Sequence, residues 1–256
     1  MQAETEVPAS SDPFRVGGAD LLVPVLGYVH AKAVADVFLG VVLLILLLPV
    51  IALLLLLVKC TSRGPALYCQ TRMGRDRQTF TLYKIRSMYH DCERHTGPKW
   101  ASTDDPRVTP LGRFLRKTHL DELPQLWNVI RGEMSLVGPR PERPEFVEQL
   151  ERVIPDYAQR LAIRPGVTGL AQVQLPPDSD LQSVRRKVTC DLFYIRNMNP
   201  LLDLQILLAT ATKVFGVPCE SSCSLLGVPS EADIRVSRDA AAPNLGTESR
   251  CLVEPV

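Results

Sequence analysis

The sequence predicts a mostly helical α+β domain, seated on a membrane by an apolar helix and holding one short β-hairpin. Three observations carry that prediction. From Val37 to Val58, 22 consecutive residues lack any charged side chain and are mostly Leu, Val and Ile. As a helix at ~1.5 Å per residue the run is about 33 Å long, enough to cross a hydrocarbon core of about 30 Å. Residues 59–100 then hold nine basic and three acidic side chains, a net +6 directly behind the apolar run. Such a block stays on the cytosolic side and favours anionic headgroups. Beyond it, apolar residues recur mainly at helical spacing and alternate in one pair of segments.

Residues 1–20 are rich in Ser, Pro and Glu and read as disordered. With the apolar Leu21–Val29 they form an N-terminal segment over 1–31. Lys32 to Val58 reads as a membrane helix interrupted by Pro49, which lacks an N–H and crowds the carbonyl of Ile45, at ~3 kcal/mol in an ordinary helix interior. Two topologies accommodate this: a kinked spanning helix, tolerated in lipid, or a re-entrant hairpin that enters and leaves by one leaflet. The residues by themselves leave both open. Ala66–Gln70 and Thr79–Ile85 read as strands joined by a turn over 73–77. Thr118 to Ile130 holds a helix, and Glu145 to Ile154 is another, with Phe146, Val147, Leu150, Val153 and Ile154 on one face and Pro155 as the stop. Asp191–Asn197 and Leu201–Phe215 complete the helices, the last apolar enough either to lie on a membrane surface or to pack in a core. A folded domain therefore spans 59–216, and the Ser-, Pro- and Ala-rich 217–256 reads as a flexible tail.

Four constellations carry chemistry. In Lys117-Thr118-His119-Leu120-Asp121-Glu122-Leu123-Pro124-Gln125-Leu126, Pro124 fits only the first turn of a helix. Asp121 and Glu122 then sit at its positive end, where a carboxylate stays ionised as a nucleophile or metal ligand and where phosphate also binds. An ordinary helix start with a Thr118-x-x-Asp121 cap gives the same string. The preceding Arg113, Arg116 and Lys117 favour the chemical reading, and His119 adjoins the pair. In Ser135-Leu136-Val137-Gly138-Pro139-Arg140-Pro141-Glu142-Arg143-Pro144, Pro and Gly stiffen a loop from which Arg140 and Arg143 project, a geometry suited to phosphate oxygens. Arg164-Pro165-Gly166-Val167-Thr168-Gly169 is a tight loop, more turn than phosphate cradle. Lys84 and Arg86, in Tyr83-Lys84-Ile85-Arg86-Ser87-Met88, share one side of a strand and suit phosphates or headgroups.

The composition excludes other classes. With 29 basic against 28 acidic residues the net charge is +1, which gives no basis for nucleic-acid binding. The seven cysteines form no CxxC pair and read as reduced thiols rather than a zinc site. The apolar run begins too late and runs too long for a secretory signal. No P-loop, HExxH, GxSxG or GxGxxG pattern is present.

In order along Lys32 to Phe215, the chain resembles the bacterial sugar transferases, the monotopic polyprenyl-phosphate phosphoglycosyl transferase family. The resemblance rests on the apolar segment with its central proline, Tyr83 to Met88, Asp105-Pro106-Arg107-Val108-Thr109-Pro110-Leu111-Gly112, Leu120 to Leu126, Gly132 to Pro141, and Arg164 to Gly169. It implies a re-entrant hairpin over 32–58 broken at Pro49, with amphipathic interfacial helices and a catalytic domain on the cytosolic face of the bacterial inner membrane. It implies transfer of a sugar-1-phosphate from a UDP-sugar donor to a polyprenyl phosphate acceptor. By similarity Asp121 is the nucleophile and binds Mg²⁺, Glu122 handles metal or protons, and Arg140, Lys84 and Arg113 bind phosphate; Arg86 and Arg143 join them as candidate substrate-binding cations from the strand and loop readings above. The implied partners are the two substrates and membrane lipids, with a homodimer compatible and nucleic acid excluded. Some relatives carry an N-terminal multi-helix extension, and this chain resembles the form without it. Leu170 stands where many relatives have an aromatic, and 175–186 match poorly, departures that bear on donor choice.

Overall fold

The structure is a computed structural model and describes residues 24–92, 105–176, 180–214, 217, 219–234 and 236. The expected disordered start, most of the Leu21–Val29 stretch's beginning, and the far end of the tail lie outside those residues. Apolar residues dominate helix α1, Pro24–Thr61, which at 38 residues is longer than the expected segment. It continues through Pro49, so the break expected there is not seen as an interruption of the helix. Pro49 removes one donor from the ladder, whereas the flanking turns keep theirs, and in a segment this apolar nothing competes for those groups.

Burial along α1 follows a single stripe. Lys32, Asp36, Gly40, Ile51, Leu54 and Val58 are buried, with Leu44 and Leu47 partly so between them. This spacing of three or four residues places them on one face. The opposite face is bare: Val34, Phe38, Ile45, Leu46, Leu48, Leu53 and Leu56 are all exposed. Among the described residues α1 is the one helix long and apolar enough to cross a membrane. A bare apolar face of this size suits lipid rather than water.

The stripe docks on a folded domain of small elements. Strands β1, Leu67–Met73, and β2, Thr79–Ile85, pair antiparallel with Tyr68 opposite Lys84 and Arg72 opposite Phe80. Helix α2, Pro110–Thr118, is capped by Thr109, whose hydroxyl accepts from the Gly112 amide at 2.9 Å. Gly112 is required there, because a Cβ would collide with the Ser87 carbonyl. The helix expected from Thr118 to Ile130 is instead divided. His119 takes a left-handed conformation (φ 57°), a 3-10 turn covers Leu120–Glu122, and α3 covers only Gln125–Ile130. Thr118 turns its hydroxyl back to the carbonyls of Phe114 and Leu115 and caps nothing downstream.

Strand β3, Ser135–Val137, pairs in parallel with β4, Gly166–Thr168, so the second glycine-rich loop is a strand partner. Helix α4, Pro144–Val153, stops before Pro155 as expected. Helices α5, Leu170–Gln174, α6, Leu181–Asn197, and α7, Pro200–Val214, build the main core with Tyr194, Ile195, Leu202 and Ile206. Helix α7 is not amphipathic in the expected sense. It buries Leu202, Ile206 and Ala209 while exposing Leu201, Leu204 and Leu208, so both faces are apolar. The expected tail is also partly ordered. Helix α8, Cys219–Leu226, packs on α5 and α7, with Cys223, Val228 and Ile234 in the core. Only three well-spaced apolar residues do this, too few to register as a period.

Candidate active site

Strand β2 has an open edge beyond β1, and the side chain of Asn128 closes it. Its Nδ2 donates to the Thr81 carbonyl at 2.7 Å and its Oδ1 accepts from the Tyr83 amide at 3.2 Å. Fully buried on α3, Asn128 thereby fixes β2 against the segment that carries Asp121 and Glu122. Lys84, next along β2, reaches Glu122 with Nζ 2.7 Å from Oε1. Arg140 reaches the same oxygen, its Nη2 at 2.6 Å.

The loop bearing Arg140 is held as rigidly as its composition suggested. The Gly138 amide donates to the Thr168 carbonyl and the Gly166 amide to that of Pro139. Arg160 donates to the Arg140 carbonyl at 3.0 Å, and Arg72 to that of Pro141 at 3.1 Å. Arg160 is itself fixed by Asp191 at 2.6 Å, with both side chains only 3% exposed. A guanidinium on so restrained a backbone loses little freedom when it meets an anion.

The two adjacent carboxyls differ as a result. Burial alone would raise Glu122, but the charges and hydrogen bonds of Arg140 and Lys84 outweigh it and hold Glu122 well below the usual carboxylate range. Asp121 is equally buried, at 7% exposure against 8%, yet accepts no hydrogen bond among the described residues. Burial raises its pKa, the charge of Glu122 adds to that, and Lys84, Arg116 and Arg140 oppose it. The helix-terminus explanation for an ionised Asp121 therefore does not hold, since the pair lies in a separate turn ahead of α3. A carboxylate raised in this way is more basic and a better nucleophile toward phosphorus than a solvated one.

The expected cations are only partly gathered. Lys84 and Arg140 stand at the pair. Arg86 lies one residue past the end of β2 and its side chain is taken up by the end of α1, donating to the Ser62 carbonyl at 2.9 Å and hydroxyl at 2.6 Å. Arg143 is drawn to the start of α4, 3.7 Å from Glu145 and over the Phe146 ring. Arg113 is exposed on α2. One turn on, Arg116 bonds Ser87 at 2.9 Å and acts electrostatically on Asp121, a role that three consecutive cation candidates in the sequence could not assign. Asn128, Arg72 and Gln125 also escaped the sequence reading; Gln125 sits inside the acidic motif and Arg72 shares the Lys84 face of the hairpin, which are the signals that pointed to them.

No cluster of three or more His, Cys, Asp or Glu residues exists among the described residues. Glu122 is engaged by two cations, so Asp121 is the carboxylate of the pair with an oxygen to offer. That fits Mg²⁺ held through one carboxylate and substrate phosphates, and does not fit a closed protein cage.

The chain is 40% identical over 189 residues to the UDP-N-acetylgalactosamine-undecaprenyl-phosphate N-acetylgalactosaminephosphotransferase of Aeromonas hydrophila, covering 74% of this chain and 44% of that protein. It is 42% identical to the undecaprenyl-phosphate glucose phosphotransferase of Komagataeibacter xylinus, over 70% of this chain and 35% of the relative. The exopolysaccharide production protein PSS of Rhizobium leguminosarum is 38% identical, over 70% of this chain and 92% of its own length. The chain thus spans less than half the length of the first two. The family profile described as bacterial sugar transferase matches residues 27–217, three quarters of the molecule and every element of the site, and the chain belongs to that family.

Proposed function

We propose that this chain transfers a sugar-1-phosphate from a UDP-sugar to undecaprenyl phosphate at the cytosolic membrane face, initiating polysaccharide synthesis. The single observation that carries the reading is Asp121, a buried carboxylate with no hydrogen-bond donor among the described residues, beside a Glu122 already neutralised by Lys84 and Arg140. A Asp121 oxygen attacks the donor's β-phosphorus, the bond to the α-phosphate oxygen breaks, and UMP departs with that electron pair. The acceptor's phosphate oxygen then attacks the same phosphorus and the Asp121–phosphorus bond breaks, restoring the carboxylate. Lys84, Arg140 and Arg116 offset charge at the phosphates, and Glu122 holds Lys84 and Arg140 in place between turnovers. Mg²⁺ bound through Asp121 and the diphosphate would supply further charge neutralisation.

We also read α1 as re-entrant. Its first turns bear on α7 and β3 through Lys32, Asp36, Asp203 and Ser135, and its last turns bear on β2 and α2 through Leu54, Val58, Ile85 and Leu115. Both ends thus rest on one folded domain, which supports entry and exit by one leaflet. Bacterial inner membrane residence follows from the lipid acceptor and the bare apolar face of α1.

Incubation with donor labelled at the β-phosphate, without acceptor, tests the chemistry. Label bound at Asp121 with release of UMP is the expected result, and release of UDP would overturn the reading. For topology, Cys60 is native and exposed just before the end of α1, and Val34→Cys places a second thiol near its start. Labelling of both from the cytosolic side is expected; labelling from opposite sides would replace the hairpin with a spanning helix.

A further inference from the structure

Beside the carboxyl pair lies a cleft lined by Arg72, Leu82, Lys84, Gln125, Arg140 and Pro141. Asp121 and Glu122 do not line it, so Lys84 and Arg140 form a wall shared by the carboxyl pair on one side and the cleft on the other. It is a small recess, partly open to solvent, that suits one charged part of a larger molecule rather than a whole one.

One of its polar groups is a buried donor without a partner among the described residues. Gln125, 2% exposed, lines the same recess. Arg72 has a buried Nε without a partner, while its Nη1 is committed to the Pro141 carbonyl at 3.1 Å and lies 3.7 Å from Glu142. Hairpin register explains the convergence: Arg72, opposite Phe80, and Lys84, opposite Tyr68, project from the same face. Leaving a buried donor unmatched is costly, and such groups persist where a ligand completes them.

We propose that Arg72 and Gln125 bind the α-phosphate of the donor, the phosphate that leaves with the nucleoside. The proposal rests on the function given above and deepens it. With the attacked β-phosphorus beside Asp121, the leaving oxygen lies on the far side of that phosphorus, in line with attack. The next phosphate then falls past the Lys84–Arg140 wall, where a guanidinium and an amide donor await it. A neutral sugar gains nothing from that cationic lining, whereas a departing phosphate that accumulates charge does.

Binding of UMP and of uridine, measured by equilibrium dialysis on detergent-solubilised full chain, tests this without turnover. Wild-type protein should prefer UMP, and Arg72→Met and Gln125→Glu should each reduce that preference by about 10-fold or more, the scale of losing one oriented donor to a phosphate. Arg72→Lys, which keeps the charge, should retain part of it and guards against a loop that has simply lost its shape. In kinetics, the two variants should slow UMP release from donor alone while leaving transfer from pre-labelled enzyme to polyprenyl phosphate within about 2-fold. A parallel loss of uridine and UMP binding, or equal slowing of both half-reactions, would overturn the assignment. Absence of label on wild-type Asp121 would overturn the covalent mechanism and leave the UMP-over-uridine result to stand or fall separately.

Discussion

Two buried charge clusters in this chain use the same residue types and are finished differently. Near the start of α1, Lys32 lies 2.6 Å from Asp203 and 3.6 Å from Asp36. Hydroxyls take up the remaining carboxylate capacity: Tyr28 and Tyr194 donate to Asp203, each at 2.6 Å, and Ser135 donates to Asp36 at 2.6 Å. At the candidate site, Glu122 receives both Lys84 and Arg140, while among the described residues Asp121 accepts no hydrogen bond and the buried Arg72 Nε has no partner. The first cluster is closed and joins the membrane helix to α6, α7 and β3. The second is open on one side. An unmatched buried polar group costs ~1–3 kcal/mol, so the open cluster is the one that a ligand completes.

The sharpest way to break this contrast is to exchange the expected phenotypes. Asp121→Asn should reduce UMP release by about 10³-fold or more, the scale seen when a covalent nucleophile is removed. Its thermal midpoint should not fall, because no donor among the described residues loses a partner; a drop in midpoint would show that Asp121 is structural. Lys32→Met should do the reverse. It strands Asp36 and Asp203 without their cation, which destabilises by ~3–5 kcal/mol. Thermal melts in detergent micelles would register this, and turnover per folded molecule should stay near wild type.

Smaller changes refine the comparison. Tyr194→Phe removes one of three donors to Asp203 and should lower stability by about 1.5 kcal/mol, the low end for a hydrogen bond to a charged group because Tyr28 and Lys32 remain. The smallest expected effect is on pH dependence. Asp121 is raised and Glu122 lowered, so on acidification the first proton goes to Asp121. UMP release should therefore begin to fall at a pH above the ordinary carboxylate range and continue falling as pH drops through the raised Asp121 pKa. A profile that stays flat down to the usual Asp range would place Asp121 in a more polar setting than this fold gives it.

Much of the site was legible because its parts are local. Asp121 and Glu122 are adjacent, and the Pro- and Gly-rich string around Arg140 fixes its loop without reference to the rest of the chain. The β-hairpin was legible from alternation, but its first strand runs past the expected end at Gln70 to Met73, and only the observed register puts Arg72 on the Lys84 face. Arg86 misled because its guanidinium is taken up by Ser62, 24 residues away along the chain, a contact that no local period shows. The division of the Thr118–Ile130 helix was hidden because His119 carries no mark of a left-handed conformation, as a glycine would.

The sequence by itself determined the membrane seat, the basic segment behind it, the carboxyl pair and the stiff arginine loop, because composition and short spacing fix each of them. Tertiary structure alone decided which carboxyl is neutralised and which is left free. That depends on β2, α3 and the 138–142 loop meeting in space, where Lys84 and Arg140 fall within 3 Å of Glu122 while Asp121, one residue away, accepts no hydrogen bond among the described residues. Side chains adjacent along the chain acquire different chemistry when long-range packing distributes the cations unequally between them.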